Sequence, residues 1–280
     1  MDELLLTEEE AVAYAQKAGE KVRELTRHPY LSYELTDDVP SITDSKAGGL
    51  PYLADNTLPP LDKSGKQMKL LVQINCKDLA LLEDFPHKGL LQFWVSTDSL
   101  MSQGKVTYIE EYSAEPDIES IRARITPFEE GVTGTSPVDG EYALKFTLEE
   151  GSISHDSEDL LALFCQYYSE MSGDYIDDPE DAGDGEYGEA VYDEWVWFSE
   201  KCTDSYFNSI NGYPSSAQPV EYEKYEAGMN LEFDKGVQLL QLYSGKGVRW
   251  GDYGVGGFYM NRQSLRERDF SWVGFHWNCS

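Results

Sequence analysis

Residues 89–100, GLLQFWVSTDSL, and residues 254–265, GVGGFYMNRQSL, align without a gap. Gly254 falls on Gly89, Phe258 on Phe93, Tyr259 on Trp94, Met260 on Val95, Ser264 on Ser99 and Leu265 on Leu100. The correspondence continues upstream. Leu71-Val72-Gln73-Ile74 matches Leu239-Leu240-Gln241-Leu242, and Gly49-Leu50-Pro51 matches Gly212-Tyr213-Pro214. A Gly-x-Pro turn, an apolar run holding a glutamine and a Gly-led aromatic run thus occur twice in one order. A duplicated unit predicts such fixed order, with spacers free to diverge.

Side chains alternate faces along a strand. In the first copy Leu71, Gln73 and Asn75 share one face and Val72 and Ile74 the other; in the second, Leu239, Gln241 and Tyr243 oppose Leu240 and Leu242. The two glutamines therefore occupy the same side. An amide in so apolar a run is expected to be at least half buried and bonded, because an unpartnered one costs on the order of 1–3 kcal/mol. Gln73 and Gln241 are expected to hold nearby loop backbone, with ligand binding as the alternative role.

Around this pair the chain reads as α+β, mostly antiparallel sheets with a few helices, the two copies related by an approximate twofold. Residues 1–35 supply an N-terminal helix, 36–150 the first half, 151–205 a helix and an acidic insertion, and 206–280 the second half, all within one compact domain. Thr7 to Glu10 spells a capping box. Val12, Ala15, Val22 and Leu25 follow near helical spacing, and His28-Pro29 closes the helix. This helix is expected to lie on a sheet or on the second half. Strands are expected at 69–76, 90–95, 106–112, 118–126, 142–148, 230–243 and 273–279. Helices are expected from Ser157 through Tyr168, at 203–210 and at 262–268. Trp250 to Gly254 reads as a turn, with Asp252 placed to accept from backbone N–H groups.

The formal net charge is -30. That field repels nucleic acid and anionic membranes and attracts a basic protein. Between Lys145 and Lys201 there is no Lys or Arg, and residues 174–194 are dense in acids and glycines, the composition of a solvated surface loop. Asp177, Asp178, Glu180 and Asp181 are the candidate contact residues for a basic partner. Tyr187, Trp195 and Trp197 are candidate anchors, core packing being the alternative for the tryptophans. Trp250 and Asp252 are further binding candidates. An EF-hand fails here, since starting at Asp181 puts Gly at positions 3 and 5 and starting at Asp178 puts Ala at position 5, which leaves loose cation binding as the alternative for the run. No phosphate-cradling loop, zinc motif or nucleophile signature occurs. No cofactor, metal ligand or catalytic residue is therefore assigned. His276, between Phe275 and Trp277, reads as a packed residue, and the four cysteines form no C-x-x-C pair. Leu4-Leu5-Leu6 is too short for a signal segment. The chain is read as cytoplasmic.

Gly-Gly-Leu-Pro (48–51), Leu-Val-Gln-Ile-Asn (71–75), Gly-Leu-Leu-Gln-Phe (89–93), Gly-Tyr-Pro (212–214), Leu-Leu-Gln-Leu (239–242), Trp-Gly-Asp-x-Gly (250–254) and Asp-Phe-Ser (269–271) together resemble the YwqG-like family, a bacterial domain family of unknown function. The resemblance spans roughly residues 40–279. It implies an α+β cytoplasmic protein. Some members are encoded near toxin systems, which implies an immunity-like or partner-binding role. The acidic run after Gly173 departs from the family pattern. The resemblance supplies no catalytic residues. The reading is a non-enzymatic binding protein for a basic partner. The alternative is a hydrolase or carbohydrate-binding protein using a carboxylate- and aromatic-lined cleft between the two halves.

Overall fold

The computed structural model describes residues 6–128, 131, 134–154, 157, 159–202, 207–214 and 236–279. The chain divides into two compact units. The smaller comprises residues 1–29, 150–206 and 213–215; the larger comprises 30–149, 207–212 and 216–280.

The smaller unit is helical. Helix α1, Glu8–Thr26, starts at the expected capping box: Glu10 N–H donates to Thr7 Oγ1 and Thr7 N–H to the Glu10 carboxylate. Its buried stripe is Ala11, Ala15, Ala18, Gly19 and Val22. These small residues let two further helices approach closely, so α1 packs on helices within its own unit. A Cβ on Gly19 would stand 2.9 Å from the Phe198 ring. Its partners lie on α3, Asp159–Ser172, and α4, Gly188–Ser199. Phe164, Tyr168, Val191 and Phe198 fill the shared core. Among the described residues no helix is long and apolar enough to cross a membrane.

The larger unit is built on a sheet. Its strands are β1 (His28–Thr36), β2 (Lys46–Gly48), β3 (Lys69–Asn75), β4 (Leu90–Val95), β5 (Gly104–Ile109), β6 (Glu141–Gly151), β7 (Ser209–Ile210), β8 (Gly236–Tyr243), β9 (Val255–Asn261) and β10 (Gly274–Asn278). Two short helices, α2 (Ile118–Ala123) and α5 (Arg262–Arg266), complete it. The strand order is β10-β9-β8-β7-β1-β6-β2-β3-β4-β5. Pairing is antiparallel from β10 through β1 and again from β6 through β5.

The sheet curls until its ends meet, giving a nearly closed barrel. At the seam a Cβ on Gly104 of β5 would stand 2.4 Å from Phe275 Cβ of β10. Trp277 Nε1 donates to the Leu100 carbonyl at 2.8 Å. Bulges supply curvature by placing an extra residue on one strand. The β3–β4 register skips between Leu70 and Val72, and the β8–β9 register skips between Gln238 and Leu240. The extra residues are therefore Leu71 and Leu239, which are equivalent in the sequence alignment. Past the bulges Val72 faces Phe93 and Leu240 faces Phe258. Those two phenylalanines then meet edge to face inside the barrel, ring centroids 5.1 Å apart. On the short strands Lys46 pairs with Gln73 and Ser209 with Gln241. Two residues further on, Gly48 (φ 65°) and Asn211 (φ 61°) both adopt the left-handed conformation.

Three local expectations are corrected. Residues 118–126 hold helix α2 where a strand was expected: Asp117 caps it by accepting from Ser120 N–H, and Ile118, Ile121 and Ile125 follow helical spacing. The helix expected at 203–210 ends as strand β7, because the Asn211 turn returns the chain beside β8; residues 203–206 lie outside the described residues. Of the strand expected at 230–243, residues 230–235 also lie outside them. The acidic run is not one loop. Pro179–Asp181 forms a 3-10 turn and α4 begins at Gly188, since Val191, Trp195 and Phe198 give a helical apolar face within the acids.

Gly104→Ala inserts a methyl group into the seam. It should cost about 1–3 kcal/mol in urea denaturation and speed amide exchange along β5 and β10. A change within about 0.5 kcal/mol, the range of ordinary surface substitutions, would mean the seam has room to spare.

Candidate functional site

Gln73 and Gln241 are both fully buried and bonded to loop backbone, as their place in apolar runs requires. Gln73 accepts from Tyr52 N–H at 3.0 Å and donates to the Ile42 and Asp44 carbonyls at 2.8 and 3.1 Å. Gln92 beside it donates to Gln73 Oε1 and to the Tyr52 carbonyl. Thr107 donates to Gln92 Oε1, and Trp94 Nε1 donates to Thr107 Oγ1 at 2.9 Å. This network crosses β3, β4 and β5 and fixes both the loop over them and the Trp94 ring. Gln241 does the same kind of work in the second hairpin. It donates to the Phe207 carbonyl and accepts from Gln238, which also accepts from Ser209 and Gly212 N–H. Both glutamines position the scaffold. Lys46, opposite Gln73, is also buried, and burial pushes its ammonium below the usual lysine range; the Glu141 carboxylate at 2.8 Å opposes that shift.

Trp250 is wholly buried and stacked on Trp277, centroids 5.8 Å apart, so it lines the core and not a surface. Asp252 lies two residues on, at the edge of a cavity of about 870 Å³. Residues 136–139 and Lys69 wall this cavity from the first half, and residues 244–245, 247–249 and 251–253 wall it from the second. Asp139, Asp252, Tyr253 and Phe128 are among its lining side chains. His276 is half buried, and burial lowers its pKa below the ordinary histidine value.

Asp177, Asp178, Glu180 and Asp181 are exposed on the smaller unit. Two of them also hold local structure: Asp177 accepts from the Tyr175 hydroxyl, and Asp178 caps the 3-10 turn by accepting from Glu180 N–H. Tyr187 is half buried and packs over Gly183. Trp195 tilts against Phe164 and joins the core, centroids 5.2 Å apart. Trp197, two residues on, faces outward at 57 % exposure. The thiol of Cys165 is pushed up to about 11 by burial and by the nearby Asp178, Asp177 and Asp181 charges.

Trp197 belongs to a cleft between α1 and α4 of about 570 Å³. Gln16, Gly19, Glu20 and Arg23 line it from α1; Asp193, Glu194, Trp197 and Phe198 line it from α4. Gln16 Nε2 donates to Glu194 Oε1 at 3.0 Å across it, and Lys201 Nζ lies 5.8 Å from the Trp197 ring centroid. Sequence reasoning weighed Trp197 but not Glu20, Asp193 or Glu194. The available signal was Asp193 and Trp197 one helical turn apart, and Gly19 on the alanine-rich face of α1.

The class of protein is therefore α+β: an antiparallel sheet curled nearly into a barrel, accompanied by a few helices. The chain belongs to the DUF1963 family, a domain of unknown function, whose profile matches residues 45–279. A comparison with curated proteins finds no match. Among the described residues no group of three or more His, Cys, Asp or Glu side chains is arranged to hold a metal ion.

Gln73→Leu keeps the volume but strands Tyr52 N–H and two carbonyls. It should lower stability by about 3 kcal/mol in urea denaturation, and Gln241→Leu should act in the same direction. A loss under about 1 kcal/mol would mean that water replaces the amide.

Proposed function

We propose that the protein binds a basic protein partner through its smaller, helical unit. The observation that carries this reading is the cleft between α1 and α4, where Glu20, Asp193 and Glu194 outnumber Arg23 in a lining shared with the exposed Trp197. It suits a lysine or arginine side chain: the aliphatic stem packs on the indole face, the cation stays within reach of the carboxylates, and aromatic faces attract cations. The charge of the unit supports the same reading. Its segments hold 24 acidic residues against five basic ones. Asp177, Asp178, Glu180 and Asp181 add to a field that steers a basic molecule inward and raises its association rate.

We also read the chain as YwqG-like within its family, on the ordered motifs from Gly48 to Ser271, and its role as immunity-like binding in the cytoplasm. The two halves of the sheet we take to be copies of one ancestral unit. The matched bulges at Leu71 and Leu239, the paired glutamines and the mutual contact of Phe93 and Phe258 support this. A sequence profile built from residues 45–100 of other family members should detect residues 208–265 of the same chains. A profile that scores them no better than unrelated strands removes the duplication.

A second reading keeps a hydrolase or carbohydrate-binding role, favoured by the large cavity between the halves with Asp139, Asp252 and Tyr253 on its wall. Affinity capture and kinetics separate the two. The first reading expects a basic protein whose association rate falls at least ten-fold between roughly 0.05 and 0.5 M salt. It expects Trp197→Ala to weaken the complex about ten-fold or more, as loss of a central anchor does. Neutralising Asp177, Asp178, Glu180 and Asp181 together should slow association and leave dissociation unchanged. Salt-insensitive binding that ignores Trp197→Ala would sink it. Turnover of a glycoside or ester abolished by Asp252→Asn would move the protein to the second reading.

A further inference from the structure

The cleft between α1 and α4 already meets a cation of the chain's own. Lys201 lies just past the end of α4, and its Nζ stands 5.8 Å from the Trp197 ring centroid. We propose that the cleft is a socket for a single arginine side chain of the basic partner, and that Lys201 holds the Trp197 ring until the arginine displaces it. The inference rests on the reading of this cleft as the basic partner's site. It adds which cation enters and what that cation must displace.

Three observations carry it. First, α1 and α4 run in the same direction, because Gln16 meets Glu194 and, further along both helices, Gly19 meets Phe198. Their C-terminal ends therefore gather at the end of the cleft that holds Trp197. A helix C-terminus carries negative partial charge and favours a cation. α4 has no base in its last turn, and Lys201 is the first base after Lys145. Second, Glu20 on α1 and Asp193 on α4 stand on opposite walls, and among the described residues neither makes an ion pair. Glu194 beside them accepts from Gln16. Third, the Lys201 ammonium reaches the ring and pairs with none of these carboxylates. An ammonium is a compact point charge, which serves a ring or a carboxylate. A guanidinium is planar: it stacks on an indole face and projects five donors in its plane toward both walls. Arginine therefore replaces Lys201 on Trp197 and also takes up the carboxylates that Lys201 leaves unpaired. Arg23 lines the same cleft, and its charge disfavours a second incoming cation beside the first.

The test uses the full chain grown with 5-fluorotryptophan and read by fluorine NMR. Trp197 is assigned among the six tryptophans as the resonance lost in Trp197→Phe. The probes are acetyl-Gly-Arg-Gly-Arg-Gly-amide, its lysine counterpart and its neutral citrulline counterpart. The arginine peptide should move the Trp197 resonance saturably and bind about three-fold or more tighter than the lysine peptide. The citrulline peptide should not saturate. Lys201→Met should tighten the arginine peptide about two- to five-fold, the worth of an exposed cation on a ring. Lys201→Arg separates displacement from charge alone. It keeps the charge but seats a better occupant on the ring, so it should weaken the arginine peptide by about the same factor. Lys201 and Trp197 are both exposed, so these variants leave the core intact. Equal affinity for the arginine and lysine peptides overturns the proposal, and so does a Lys201→Arg protein that binds as the parent does. Either result leaves the cleft standing as the basic partner's site. A Trp197 resonance that no peptide moves overturns both.

Discussion

The structure of the larger unit depends on amides that must be buried and must be bonded. Gln73 and Gln92 stand opposite one another on β3 and β4, turned away from the Phe93 side of the sheet. An outward amide on a buried strand demands cover that brings its own donors and acceptors. Backbone at Ile42, Asp44 and Tyr52 provides them. A Gly- and Pro-rich segment, which would otherwise keep the freedom of a loop, is thereby pinned flat on the sheet. The pinning carries on to Thr107 and Trp94, so one polar chain determines both where the loop lies and how an aromatic wall is oriented.

The two units handle charge differently. In the larger one, acids are spent on specific bonds. Asp84 receives both Arg262 and Arg266 at 2.6 Å, and Arg268 holds the neighbouring carbonyls of Asp84 and Phe85. Burial opposes ionisation of Asp84, but the two guanidiniums outweigh it and hold the carboxyl below the usual range. In the smaller unit acids outnumber bases too far for pairing. Glu8, Glu9 and Glu10 sit favourably in the first turn of α1, where the helix dipole welcomes negative charge, yet α3 and α4 carry no base in their last turns. What holds that unit together is close helix packing on alanine and glycine, a contact that tolerates a repulsive exterior.

Much of the scaffold was legible because its signals are local. The capping box at Thr7, the strands around Gln73 and Gln241, and the turn chemistry at Gly48 each follow from a few adjacent residues. The errors came where one composition serves two structures. Isoleucines at 118, 121 and 125 read as strand by residue type and as helix by spacing, and the Asp117 cap decides for helix. Asn211-Gly212 ends helices and turns strands equally well. The helix from Gly188 was obscured by its acids, although Val191, Trp195 and Phe198 keep its apolar period. The clefts were illegible for a different reason. Glu20 and Asp193 are 173 positions apart in the chain, and Asp139 and Asp252 come to line one cavity only through the fold of the sheet. No local pattern announces such meetings.

The seam between β5 and β10 has one more consequence. A sheet that stops just short of closure leaves two strands each with an unsatisfied ladder, and such edges recruit strands from other molecules. Here each edge is the other's shield: Phe275 lies against Gly104, and Trp277 reaches over to Leu100. Protection from self-association is therefore conditional on side-chain packing and not on a completed set of backbone bonds. Any influence that parts these two strands uncovers both sticky margins together, which makes this junction the point where misassembly of the barrel would begin.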